Sequence, residues 1–295
     1  MKLYIFTGEN GGHRMERFRE EALKVGDIEL IIKDMHKIVI SNDGLYDGGE
    51  KIEFNDSVVW LFSNLTTVQS IANFLSTKNI LSWPNDEAVV FADKFDSGVF
   101  FSSNNIPTPK TVFINSKKNI DNIINYLGGF PVVIKKTIGS MGMFVEVVNN
   151  KEEIEKFIDD TFVRAEKSGM AFNRIKFILQ EFIKDVKGVD YRVLCLDGEI
   201  LGVIKRTAES GFKSNISLGG KAEKVELDEK LEKYVKKILK KGDIFYAGID
   251  FIKKGDDYIA IEVNTSAQFK GFEKATGINV AGKIIQKLIK KRKNK

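Results

Sequence analysis

The stretch that most restricts how this chain can fold is residues 247–264, near its C-terminal end. Ala247-Gly248-Ile249-Asp250-Phe251-Ile252 and Tyr258-Ile259-Ala260-Ile261-Glu262-Val263-Asn264 each read as a strand, and Lys253-Lys254-Gly255-Asp256-Asp257 between them is polar and carries a glycine. Two such runs joined by a short glycine-containing segment predict a β-hairpin. Side chains alternate along a strand, so Glu262 and Asn264 share a face. Asp250 and Glu262 lie symmetrically about Asp256, and a simple hairpin sets them opposite each other. Two carboxylates in direct cross-strand register repel. A cation between them removes that cost. Oxygen-only ligands suit Mg²⁺, which is held through one or two carboxylates plus substrate phosphates. The hairpin therefore predicts a divalent-ion site at Asp250, Glu262 and Asn264 with phosphate chemistry beside it.

The remaining bounds are broad. A chain of 295 residues is long enough for about two domains. Its 43% hydrophobic and 29% charged residues are ordinary for a globular protein, and 22 Phe argue against disorder. No apolar run approaches the ~18 residues of a membrane span; Val58-Val59-Trp60-Leu61-Phe62 is typical of the longest. Gly8-Glu9-Asn10-Gly11-Gly12-His13-Arg14 interrupts the first apolar run too early for a signal peptide. Cys195 is the single cysteine, which excludes a disulfide framework and fits a reducing, cytoplasmic setting. The net charge of +5 gathers in residues 283–295, where lysines also suit the end of a helix. Nucleic-acid binding through that end lacks the interleaved aromatics of single-strand binders. Homo-oligomer formation stays open.

Along the chain, residues 2–6 predict a strand, 14–25 a helix with Met15, Phe18, Ala22 and Val25 on its apolar face, 29–32 and 57–62 strands, and 64–75 a helix. This alternation implies an N-terminal α/β domain over 1–92. Gly8, Gly11 and Gly12 do not have the G-x-G-x-x-G spacing of a dinucleotide fingerprint. Residues 93–103 predict a helix that ends before Pro107 and Pro109, which force an extended chain. Strands at 132–136 and 143–148 flank Thr137-Ile138-Gly139-Ser140-Met141-Gly142, and 151–166 is an amphipathic helix. A strand-rich second half follows, with strands at 177–182, 191–196 and 200–205 and helices at 229–240 and 280–290.

Several pieces carry polar chemistry. Lys135 precedes a loop with Gly139 and Gly142, where backbone N–H groups can approach an anion and the ammonium adds a point charge. A hairpin turn beside a surface lysine reads the same way. The backbone of Gln180-Glu181-Phe182-Ile183, at a strand end, could hydrogen-bond an adenine edge. Asp190 and Arg192 alternate onto one strand face, as an ion pair or as ligands. Lys205, Arg206 and Phe212-Lys213-Ser214-Asn215 gather cations near Gly219 and Gly220, which suits a transferring phosphoryl group or an anionic intermediate, and equally a solvated loop. His13 and His36 have no metal-ligand spacing, and Cys195 reads as a packing residue.

In their joint order these pieces resemble the ATP-grasp ligases, most closely the RimK-type glutamate ligases, over roughly residues 85–288. Asp93-Lys94-Phe95, Val132-Val133-Ile134-Lys135, Gly139-Ser140-Met141-Gly142, Gln180-Glu181-Phe182-Ile183, Asp190-Tyr191-Arg192, Phe212-Lys213-Ser214-Asn215, Gly219-Gly220, Ala247-Gly248-Ile249-Asp250 and Glu262-Val263-Asn264 carry the likeness. The run Gly271-Phe272-Glu273-Lys274-Ala275-Thr276-Gly277-Ile278-Asn279-Val280-Ala281 is similar to the family's C-terminal signature. The resemblance implies an α/β (α+β) ATP-grasp fold: the N-terminal α/β domain, a central lid subdomain over 93–174 and a C-terminal subdomain over 175–295 with the metal site. It implies ATP with Mg²⁺ or Mn²⁺. Lys94 and Lys135 would contact phosphates, with Gly139, Ser140 and Gly142 closing over them. Gln180, Glu181, Phe182 and Ile183 would form the adenine end and Asp190 would hold the ribose. Lys213, Ser214 and Asn215 would line the phosphate and acyl region, and Arg206, then Arg192, would meet an oxyanion. Asp250, Glu262 and Asn264 would hold the metal. The implied reaction joins a small-molecule or peptide carboxylate to an amino-acid amine, on a peptide, protein tail or coenzyme. A non-catalytic ATP-binding protein is the alternative.

Three departures from the family pattern fall at the acceptor end. Asn264-Thr265-Ser266-Ala267-Gln268 stands where the family often has Asn-x-Ser-Pro-Gly, Lys213 stands for an arginine, and Ser217-Leu218 for a His-Arg pair.

Overall fold

The computed structural model describes residues 1–8, 12–62, 67–139, 144–167, 175–184, 188–208 and 220–293. Strand β1 (Lys2–Thr7) leads through helix α1 (His13–Val25) to β2 (Glu29–Asp34). A small antiparallel sheet of β3 (Ile38–Ile40), β4 (Leu45–Asp47) and β5 (Glu50–Lys51) precedes β6 (Ser57–Phe62), α2 (Thr67–Thr77) and β7 (Leu81–Trp83). The main sheet runs β2-β1-β6-β7 with every neighbouring pair parallel. A parallel strand covered on both faces is apolar throughout rather than alternating, which explains why all of Ser57–Phe62 is buried. Leu3, Ile5, Trp60 and Phe62 join Met15 and Phe18 in one cluster, while Tyr4, Phe6, Val59 and Leu61 join Ile71 and Leu75 in the other. Val25 departs from the expected apolar face of α1: it is 37% exposed, and the buried face runs through Arg14 and Glu21 instead.

Next come α3 (Lys94–Ser103), β8 (Thr111–Ile114), α4 (Ile120–Leu127), β9 (Val132–Lys136), β10 (Val145–Val148), α5 (Lys151–Lys167) and β11 (Phe177–Glu181). Their antiparallel sheet has the order β10-β9-β11-β8. It packs on α4 and α5 around Ile120, Ile134, Ile154 and Leu179, a core separate from the main one. Two elements cross the expected limits of this unit. β11 lies past residue 174 yet completes the sheet, and Phe101 of α3 packs in the main core.

The last part holds β12 (Val189–Leu196), β13 (Glu199–Thr207), β14 (Lys221–Val225), α6 (Glu229–Lys241), β15 (Tyr246–Lys254), β16 (Asp257–Asn264), α7 (Lys270–Thr276) and α8 (Val280–Lys293). Its antiparallel sheet runs β14-β13-β12-β15-β16. Val193, Ile249, Phe251 and Ile284 share one cluster with Leu3, Phe18 and Trp60, so the first and last parts of the chain form one continuous core. The Gly271–Ala281 signature clamps α1 to α8. Glu273 Oε1 accepts the backbone N–H groups of Val280 and Ala281, and Oε2 accepts from Arg17 and meets His13 Nε2 at 3.2 Å. Asn279 accepts from both Gly282 N–H and Arg17. Among the described residues no helix is long and apolar enough to cross a membrane.

Candidate functional site

The predicted hairpin is present, with Asp250 paired to Glu262 and Gly248 to Asn264. Its turn is shorter than expected. Strand pairing reaches Lys254 and Asp257, leaving the two-residue loop Gly255-Asp256. Gly255 has φ +59° at the first loop position, where a type II′ hairpin turn favours glycine.

Behind the hairpin, two arginines and two aspartates interlock. Arg192 and Asp250 are cross-strand partners, as are Asp190 and Arg206. Arg192 donates from Nε and Nη2 to the two Asp250 oxygens at 2.7 and 2.6 Å. Arg206 donates in the same fork to Asp190 at 2.5 and 2.6 Å, and from Nη2 to Asp250 Oδ2 at 2.9 Å. Asp190 and Arg192 therefore do not pair with each other along their own strand. Each reaches a neighbouring one. Burial opposes charge on Asp250, but the adjacent Arg192 and Arg206 outweigh it and hold its carboxyl below the usual carboxylate range. Burial likewise opposes the charge on Arg206, and Asp250 and Asp190 raise its pKa in spite of it. Gly248 is required here: a Cβ on it would stand 2.9 Å from the Ala267 Cβ and 3.2 Å from Arg192 Cδ and Nε. The Arg192 side chain crosses that space on its way to Asp250.

Two lysines lie near Glu262, Lys94 at the start of α3 and Lys135 on β9. Asp93 caps α3 by accepting from Phe95 N–H at 2.8 Å, and the Lys94 N–H donates to the Thr137 carbonyl. Lys94 Nζ donates to the Gly139 carbonyl at 2.6 Å and stands 3.7 Å from Glu262. Lys135 Nζ donates to Gln180 Oε1 at 2.6 Å, and Gln180 passes on a bond to Thr111. Burial lowers the Lys135 pKa to about 8, with Glu262 opposing and Lys94 adding to the fall. A buried lysine bound to a neutral amide is poised for an anion.

The predicted adenine end is only partly free. The Glu181 N–H already donates to the Lys110 carbonyl at 2.9 Å, and the Glu181 carboxylate accepts from Lys110 N–H at 3.3 Å. That N–H is thus engaged within the protein, and the Glu181 carbonyl is the backbone group it can offer a base. Phe182 lies just past the end of β11, and Ile183 is buried. Asp190, predicted for the ribose, is held by Arg206. Ser140, Gly142, Lys213, Ser214 and Asn215 lie outside the described residues.

The donor set fits a divalent ion with one correction. A carboxylate has about four lone-pair sites. Asp250 Oδ2 accepts two guanidinium N–H groups and Oδ1 accepts one, so Asp250 would reach an ion while shared with both arginines. Among the described residues, Glu262 has the Lys94 ammonium 3.7 Å away and Lys135 within electrostatic reach, and Asn264 Oδ1 accepts from Ser266 N–H at 3.0 Å. Among the described residues no three His, Cys, Asp or Glu side chains gather into a metal cage. One or two carboxylates, an amide oxygen and substrate phosphates remain sufficient for Mg²⁺.

Sequence reasoning missed the residues that hold the loop after Asn264. Three consecutive carbonyls accept from buried side chains: Thr265 from Trp83 Nε1 at 3.3 Å, Ser266 from Arg14 Nη1 at 2.8 Å, and Ala267 from the Tyr246 hydroxyl at 2.8 Å. A charged residue at position 14, set on the apolar stripe of its helix, was the available signal.

The family model described as the RimK-like ATP-grasp domain matches residues 91–288. A probable alpha-L-glutamate ligase of Legionella pneumophila (strain Corby) is 28% identical over 303 aligned residues, which cover 99% of this chain and 97% of the relative. A ribosomal protein bS6–L-glutamate ligase of Shigella flexneri serotype 5b (strain 8401) is 27% identical, covering 97% and 95%. The crystal structure of a RimK domain ATP-grasp protein from Sphaerobacter thermophilus superposes with a TM-score of 0.74 at 16% identity, covering 97% of this chain and 98% of that one. At that identity the likeness is one of fold.

Proposed function

This chain belongs to the RimK-like ATP-grasp family, and on that premise we propose that it joins the carboxylate of a peptide, protein tail or coenzyme to the amine of an amino acid. It is an ATP-dependent carboxylate–amine ligase. The γ-phosphoryl group passes to a carboxylate oxygen, giving an acyl phosphate and ADP. The amine nitrogen then attacks the acyl carbon and loses its proton, the carbon–oxygen bond to phosphate breaks, and phosphate leaves. No protein nucleophile takes part, and the protein contributes placement and charge.

One observation carries the residue assignment. The Lys94 ammonium bonds the Gly139 carbonyl of the glycine loop and stands beside Glu262 of the hairpin, so a single cation ties a phosphate loop to a metal carboxylate. Lys94 and Lys135 bind phosphates, with the glycine loop at Gly139, Ser140 and Gly142 over them. Gln180, Phe182 and Ile183, with the Glu181 carbonyl, make the adenine end. Glu262 and Asn264, with Asp250, would hold Mg²⁺, which would supply charge neutralisation for the phosphates. In both Arg206 and Arg192 the recorded bonds run through Nε and Nη2, leaving Nη1 as the edge that meets an oxyanion. Lys213, Ser214 and Asn215 add to the phosphate end. The lid runs from β8 to β11. A cytoplasmic setting is the one this ATP chemistry suits.

L-Glutamate is the first amine to try, since relatives of similar length are named for it. The test is a panel of acids, peptides and amines supplied with ATP and Mg²⁺, read as ADP release and as product mass. An acid–amine pair that together elicit ADP and gain the mass of an amide supports the ligase. ATP binding with no ADP from any pair supports the second reading, a non-catalytic ATP-binding protein. The observation favouring that reading is the arginine lock on Asp190 and Asp250.

A further inference from the structure

Two hydrogen bonds connect the first turn of α1 to Asn264. Arg14 Nη1 donates to the Ser266 carbonyl at 2.8 Å, and the Ser266 N–H donates to Asn264 Oδ1 at 3.0 Å. Arg14 is 6% exposed, and its guanidinium lies 4.3 Å from the centre of the Phe62 ring, at the end of β6. The donor is therefore fixed by a helix and a strand of the N-terminal sheet rather than by a loop. Burying an arginine is costly unless its charge is used, and here Nη1 goes to a backbone carbonyl while the guanidinium lies over an aromatic face.

The Ser266 side chain does not explain the loop's shape. Its hydroxyl is buried and makes no hydrogen bond. An unmade bond of this kind costs about 1–3 kcal/mol, so the loop keeps this shape for the sake of its backbone groups. The group that gains is the Asn264 amide. An asparagine can present either its oxygen or its NH₂ to a neighbour, and only the oxygen can bind a cation. The Ser266 N–H selects the oxygen side, and Arg14 holds Ser266.

We propose that Arg14 is a positioning residue for the divalent-ion site, acting through the Ser266 peptide to keep Asn264 Oδ1 turned to the ion. This rests on the metal reading of Asn264 given above. It also couples the N-terminal sheet to the nucleotide end, with Trp83 and Tyr246 bracing the loop on either side.

The experiment titrates Mg²⁺ into protein and ATP and reads ATP affinity by calorimetry. Outer-sphere partners of metal ligands change metal affinity by roughly 10–100-fold. Arg14→Gln should raise the Mg²⁺ concentration at half effect by about tenfold and leave metal-free ATP affinity unchanged, and Arg14→Lys, which keeps one donor, should fall between. Arg17→Gln frees the same helix from Glu273 and Asn279 without touching the loop. It should lower the melting temperature and leave the Mg²⁺ midpoint alone. Should Arg14→Gln fail to fold, Arg14→Lys carries the same reading. An unchanged Mg²⁺ midpoint in the folded Arg14 variant, while Asn264→Ala and Glu262→Gln shift it, overturns this role alone. No shift in Asn264→Ala or Glu262→Gln removes the metal reading itself and the Arg14 role with it.

Discussion

Asp250 faces Glu262 because Ile261 bulges out of the ladder between them. From the turn outward, Lys254 pairs with Asp257, Lys253 with Tyr258 and Phe251 with Ala260. A regular ladder would next set Asp250 against Ile261 and send Glu262 on to Ile249. The register shifts between Asp250 and Phe251, and the two acids meet. An extra residue in one strand re-aims the side chains beyond it, and such bulges gather at functional sites.

Placing two carboxylates in register costs stability without a cation. Glu262→Gln should therefore leave the nucleotide-free melting temperature unchanged or raised, while Mg²⁺-dependent ATP binding weakens at least about tenfold. Thermal denaturation and calorimetry on the same variant check both. A fall of several degrees would mark Glu262 as a structural partner of Lys94 instead.

Gly248→Ala would push a methyl group into Ala267 and the Arg192 stem. Overpacking of this kind costs about 1–3 kcal/mol. The larger effect should be on turnover, because Arg192 loses its line to Asp250 and the loop beside Asn264 moves. Urea denaturation and ADP release separate the two. Full activity in the variant would show that the Arg192–Asp250 fork is dispensable.

Arg206→Met leaves Asp190 without its fork and Asp250 with one guanidinium fewer. Breaking a buried pair from one side costs about 3–5 kcal/mol. The wild-type gain from Asp250 is present above the ordinary carboxylate pKa and is lost as pH falls through its lowered folded value. Asp250 protonates more readily in the variant, so its deficit should shrink on acidification. Denaturation midpoints at neutral and acidic pH check the sign.

Lys135 has a linkage of the same sign, in a higher pH window. The unfolded chain keeps this proton up to about 10.5, while the folded protein releases it at about 8. Stability should rise with pH across that window, because the unfolded state binds more protons there. A triphosphate beside the ammonium draws the proton back. ATP binding at pH 8 should take up a fraction of a proton, read as a dependence of binding enthalpy on the ionisation heat of the buffer. A buffer-independent enthalpy would place the phosphates away from Lys135.

Much of this was legible from local pattern. The apolar run of β6, the amphipathic α5 and α6 and the paired strands of the hairpin announce themselves through period and turn chemistry. The short strands β3, β4, β5 and β7 carry too few residues for a period to register. Alternation along the strand puts Glu262 and Asn264 on one face, but the two-residue turn and the bulge that brings Asp250 opposite Glu262 leave no local signal.

Chain order and side-chain chemistry alone determined which residues could serve: the acids and amide of the hairpin, Lys94 and Lys135, and the family to which they belong. Only the folded chain decided how they are occupied. Arg206 is shared by Asp190 and Asp250, Glu181 N–H is spent on Lys110, and Arg14 reaches Ser266 across 252 residues of sequence. Alternation and spacing report on neighbours along one strand or helix. Which guanidinium meets which carboxylate depends on strand order and on helices docked from elsewhere, and no local period encodes that.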